Sequence, residues 1–91
     1  MGDGFDTYLK GDVKLVHWFD ECKCKLVYAS NKVVNSIYGE IGVLKLLPTK
    51  KLYFIVGDYV MKSSTIVKIE TNGKAYRVLT KSGSVYIFRI V

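Results

Sequence analysis

One proline, one histidine, one tryptophan and two cysteines are all that the chain holds of these residues. Each scarcity excludes something. With His17 alone, general acid–base catalysis lacks its commonest group. The acids Asp3, Asp6, Asp12, Asp20, Glu21, Asp58 and Glu70 fall mostly near chain starts and turns, where they cap or solubilise. Glu40 has no evident acidic partner. Ser63-Ser64-Thr65 and Ser82-Gly83-Ser84 have no neighbouring base to activate a hydroxyl, so they read as turn residues. No Gly-x-Gly-x-x-Gly and no Gly-Lys-Ser/Thr is present to cradle a phosphate. The expectation is a protein that is not an enzyme and carries no cofactor.

Cys22 and Cys24 are two residues apart, a spacing on a strand that suits a mutual disulfide poorly. Together with His17 they offer sulfur and imidazole, the ligand types zinc prefers. Three ligands without a fourth make an incomplete site unless a symmetric dimer supplies the rest, and free cysteine is among the most buried residue types. No metal is expected. No apolar run approaches the ~20 residues of a membrane-spanning helix. Met1-Gly2-Asp3-Gly4-Phe5-Asp6 is acidic, lacks the apolar stretch of a secretory signal, and places Asp6 where a myristoylation signal wants Ser or Thr. These features read as a cytoplasmic protein with no membrane attachment.

What is present is charge of one sign and turn-punctuated β pattern. Twelve lysines and two arginines face eight acids, a net charge of +6. Such an excess favours an anionic partner, or else solubilises a small β protein and blunts its edges. Ninety-one residues correspond to one domain, 1–91, whose small core would gain from a homo-oligomer. Asn72-Gly73 and Ser82-Gly83 separate Thr65–Glu70, Ala75–Thr80 and Val85–Val91, runs rich in β-branched and aromatic residues. Val43–Leu47 and Leu52–Val56 read as strands around Pro48, largely apolar on both sides and therefore central or covered. Tyr59–Met61 follows the break at Gly57-Asp58. Asp12–Phe19 and Cys22–Ala29 read as a hairpin over Asp20-Glu21, with Trp18 opposite Lys23. Helical spacing of Val33, Val34, Ile37, Tyr38 and Ile41 predicts one short helix within Ser30–Glu40. The resulting fold class is mainly β: a small barrel or two-layer β fold of six or seven short antiparallel strands with one short helix.

Two-residue turns at Asn72-Gly73 and Ser82-Gly83 would set Ile69 opposite Tyr76, Val78 opposite Ile87 and Arg77 opposite Phe88. One face then holds Val67, Ile69, Val78, Val85 and Ile87 and is the natural core. The other gathers Lys68, Arg77, Tyr86 and Phe88. Aromatic rings stack on bases while cations hold phosphates, so this face is a candidate binding surface. Trp18 with Lys14, Lys23 and Lys25 forms a second patch of the same kind. Cross-strand packing and a subunit interface are competing uses of the same residues. The candidate contact residues are Trp18, Lys23, Lys25, Lys68, Arg77, Tyr86 and Phe88.

The run Tyr76-Arg77-Val78-Leu79-Thr80-Lys81-Ser82-Gly83-Ser84-Val85-Tyr86-Ile87-Phe88 resembles the endings of small phage and mobile-element β proteins. That resemblance implies a virus-encoded anti-defence protein, such as an anti-CRISPR protein or one that sequesters a cyclic nucleotide. The leading expectation is a non-enzymatic inhibitor in the host cytoplasm that occupies a site on a host protein or nucleoprotein complex. The alternatives are a nucleic-acid or nucleotide binding protein and a structural oligomer.

Overall fold

Among the described residues eight short strands follow one another: β1 Lys14–Leu15, β2 Glu21–Ala29, β3 Ile41–Leu46, β4 Leu52–Val56, β5 Tyr59–Lys62, β6 Ile66–Thr71, β7 Ala75–Thr80 and β8 Val85–Ile90. This computed structural model describes residues 12–16, 19, 21–31 and 37–91. All strands lie in one antiparallel sheet of order β1-β6-β7-β8-β2-β3-β4-β5. The mainly β expectation holds, with eight strands in place of six or seven. The described residues contain no helix; part of the segment expected to be helical, 32–36, lies outside them. Tyr38 forms a parallel bridge with Leu26 instead.

The sheet curls until distant strands touch but does not close into the expected barrel. The rings of Phe54 on β4 and Phe88 on β8 sit 5.0 Å apart although β2 and β3 lie between their strands. Where the chain turns from β5 into β6, the Ile66 amide donates to the Lys50 carbonyl at 2.7 Å. β5 and β6 themselves are not paired, because residues 63–65 carry the chain round a corner. Ser63 holds that corner: its amide donates to the Leu52 carbonyl and its hydroxyl accepts from the Leu52 amide. The concave side encloses the core, built from Cys24, Leu26, Ile37, Leu44, Leu46, Leu52, Phe54, Met61, Ile66, Ile69, Val78, Tyr86 and Phe88.

Loop length decides which residues reach that side. The β7–β8 loop is Lys81-Ser82-Gly83, three residues rather than two. The Gly83 amide donates to the Thr80 carbonyl, and the Thr80 amide to the Ser84 carbonyl. Gly83 sits at φ 89°, the left-handed position that ends such a loop. The extra residue moves the register by one and turns every β8 side chain over. Tyr76 therefore faces Phe88, Val78 faces Tyr86 and Arg77 faces Ile87. The Asn72 turn moves the β6–β7 register by two, which preserves faces, so Ile69 meets Val78. Its Oδ1 accepts from the Lys74 and Ala75 amides, standing in for a backbone carbonyl. Val67 is then the extra residue of a β-bulge, 62% exposed, and Ile66 enters the core in its place.

The expected N-terminal hairpin is also overturned. β2 is paired along one edge by β3 and along the other by β8, leaving no edge for residues 12–19. Lys14–Leu15 pairs instead with Thr71 and Glu70 on β6.

Gly42 faces the concave side opposite Cys24, beneath the Phe54 ring. A Cβ there would lie 2.7 Å from the Ile55 carbonyl oxygen and 2.8 Å from the ring. Gly42→Ala is expected to destabilise the fold by about 1–3 kcal/mol through overpacking. Gly83→Ala is expected to cost about 1–2 kcal/mol through the left-handed backbone alone. Urea unfolding of both variants checks the pair; unchanged midpoints would contradict the close approach and the three-residue loop respectively.

Candidate functional site

Paired residues in a sheet point to the same side, so the registers settle where each expected contact residue lies. On the convex side β2 contributes Lys23 and Lys25. Lys25 lies opposite Arg89 on β8, and Arg89 opposite Ala75 on β7. Arg77 and Lys68 emerge on the same side from β7 and β6. The four expected cations thus share the convex surface. Phe88 and Tyr86 do not join them: at 0% and 4% exposure they are core residues on the concave side. The expected aromatic–basic cluster is therefore separated by the thickness of the sheet, a direct result of the three-residue loop. Tyr86 keeps a polar partner at the rim, where Asn31 Nδ2 donates to its hydroxyl at 3.2 Å. Trp18 and His17 lie outside the described residues. Lys14 belongs to β1, so it is separated from Lys23 by β6, β7 and β8.

Lys68 and Arg77 share Glu70. Arg77 Nε donates to Glu70 Oε1 at 2.8 Å, and its terminal nitrogen approaches the same oxygen; Lys68 Nζ stands 3.9 Å from Oε2. Ile87, opposite Arg77, is fully buried although it belongs to the convex side and not to the main core. Lys68, Glu70, Arg77, Leu79 and Val85 line a shallow open depression of about 200 Å³. Glu70 engages both cations and offsets one of the two positive charges, which weakens the depression as an anion site.

Across β2–β5 the convex side is different. Lys23, Val43, Ile55 and Val60 lie directly opposite one another in a row that crosses four strands. On one side runs the row Lys25–Ile41. On the other runs Glu21–Lys45–Tyr53–Lys62, in which Glu21 pairs with Lys45 at 3.9 Å and Lys62 stands over the Tyr53 ring at 5.5 Å. The result is an aliphatic row fenced by lysines. Ile41 is 55% and Val60 40% exposed. Sequence reasoning missed Val43 and Ile55 because their strands, apolar on both sides, were expected to be central or covered, and missed Ile41 because it was counted in the helical spacing; Val60 lay in a short strand given no role. Period-two alternation marked the residues but not their exposure.

On the concave side Cys22 and Cys24 point toward one end of the core, where Phe19 stacks on Tyr76 with ring centroids 5.0 Å apart. Burial, and secondarily the nearby Cys22, pushes the Cys24 thiol up from 9.0 to about 12. The Tyr76 hydroxyl is raised first by burial and then by Cys22. Among the described residues no three metal-ligating side chains converge. A thiol buried in this way stays protonated and unreactive at neutral pH. The chain matches no protein-family model, no curated protein and no solved structure.

The shifted thiol carries a stability consequence. The folded state holds the Cys24 proton more tightly than the unfolded chain, so its contribution is complete below pH 9 and is lost as pH rises toward 12. Cys24→Val is expected to remove part of the alkaline loss of stability in that window, measured by denaturant unfolding at pH 8, 9 and 10. In the native wild type, a thiol reagent should modify Cys22 well before Cys24; equal rates would contradict the burial.

Proposed function

We propose that this protein is a non-enzymatic binding module that docks the convex side of β2–β5 onto an acidic protein surface and excludes that partner's normal ligand. The observation that carries the reading is the row Lys23–Val43–Ile55–Val60 with lysines to either side. Aliphatic side chains lend nothing to a phosphate backbone, but they gain from burial against another protein at about 25 cal/mol per Å². A charged rim around an apolar centre is the usual anatomy of a protein–protein interface. The lysines would steer association, and the rate would fall as salt is added. An anti-defence role, in which the module blocks a host protein, is the biological setting in keeping with the resemblance of the last hairpin to small phage proteins.

Nucleic-acid binding is the second reading, favoured by the net charge of +6. It loses Tyr86 and Phe88, which are core residues, and keeps Tyr53 among the lysines of the convex side. Phosphate contact by those lysines would be sequence-independent and steeply salt-dependent.

The two readings separate experimentally. Under the first, Ile55→Ser and the pair Lys23→Glu/Lys45→Glu each weaken capture of a protein partner from host extract by tenfold or more, and nuclease treatment changes nothing. Under the second, single-stranded oligonucleotide binds at physiological salt and Ile55→Ser leaves it unaffected. Partner capture untouched by both face variants would remove the proposed docking surface.

A further inference from the structure

β5 is an edge strand: it pairs with β4 on one side, and among the described residues no strand of the sheet lies on its other. Its backbone polarity can be assigned. The Ser63 amide donates to the Leu52 carbonyl at 2.9 Å, so residues 52 and 63 are a bonded pair. Bonded and non-bonded pairs alternate along an antiparallel ladder. Phe54–Met61 and Val56–Tyr59 are then bonded as well, the latter closing the two-residue turn Gly57-Asp58. Val60 and Lys62 consequently aim their amides and carbonyls at the open edge. An unpaired edge of this kind accepts another strand.

We infer that the occupant is a second copy of this chain, with β5 pairing antiparallel to β5 about a twofold axis at Val60. The charges select both the partner and the register. An axis at Val60 makes it a self-pair with two exchanged hydrogen bonds and brings Asp58 of each copy beside Lys62 of the other. An axis at Lys62 would oppose two lysines directly. An axis at Met61 would also satisfy the edge groups, but it sets Asp58 opposite Ser64 and leaves its charge uncompensated. Asp58 is exposed and makes no ion pair among the described residues, so it is available for the first arrangement. A twofold interface must be self-complementary, and an acid and a base equally spaced from a central aliphatic residue satisfy that requirement.

The pairing also continues the sheet. The row Lys23–Val43–Ile55–Val60 runs on into its symmetry mate, which doubles the aliphatic surface offered to a partner. The inference stands without the docking reading, because self-association is measured on the purified protein alone.

Analytical ultracentrifugation from about 10 µM to 1 mM tests it. Wild type is expected to associate reversibly to a dimer. Lys62→Glu and Asp58→Lys should each weaken association by about tenfold or more, two cross-strand pairs turning from attractive to repulsive. The double variant Asp58→Lys/Lys62→Glu should restore it. Both positions are exposed, so folding is retained, and circular dichroism verifies this. Amide exchange at Val60 and Lys62 should slow as wild-type concentration rises, while the amides of Phe54 and Met61 remain slow throughout. A strict monomer at 1 mM would overturn the inference. So would a dimer indifferent to both single variants, or one that the charge swap does not rescue.

Discussion

Phe88 lies against Phe54 because the chain passes from β7 to β8 through three residues, the last of them Gly83 in a left-handed conformation. Most of the architecture depends on that turn. It places Tyr86 and Phe88 on the concave side, and with them the contact that holds β8 across the core from β4. It also places Ile87 and Arg89 on the convex side, beside Arg77 of β7. A two-residue turn would bury Arg89 and expose Phe88, and a guanidinium cannot be buried unpaired without a large desolvation penalty. The loop and the core therefore support each other.

The curled sheet produces two surfaces with different work. The concave side is packed, with aromatic contacts at its centre and the raised Cys24 thiol at one end. The convex side carries Lys23, Lys25, Lys45, Lys62, Lys68, Arg77 and Arg89. Its β6–β8 portion sets two of these against Glu70, while its β2–β5 portion leaves lysines beside open aliphatic side chains. That asymmetry separates a portion whose cations share a carboxylate from one whose lysines flank open aliphatic side chains. The open edge of β5 lies at the border of the second surface, so pairing there would enlarge the face that the lysines surround.

Much of the fold was legible in the chain. Leu52–Val56 and Ala75–Thr80 coincide with β4 and β7, and the other strands expected from Cys22 onward lie within two residues of those found. Pro48 and Gly83 marked true turns. Alternation also put Lys23 with Lys25, and Lys68 with Arg77, on one side of their strands; that all four share the convex side was not readable. Nor were the partners of Cys22–Ala29. A strand with apolar and basic residues can pair with any neighbour of matching pattern, and the choice of β3 and β8 over residues 12–19 rests on contacts remote in sequence.

By itself, the sequence determined that this chain forms strands and where most of them begin and end. Those properties follow from local sterics and from residue type. Only the tertiary structure decided which side of β8 faces inward and which apolar residues stay open to solvent. Side-chain direction in a strand alternates at every residue, so one added loop position or one bulge at Val67 reverses it. That choice is made by the packing of the whole sheet rather than by the residues nearby.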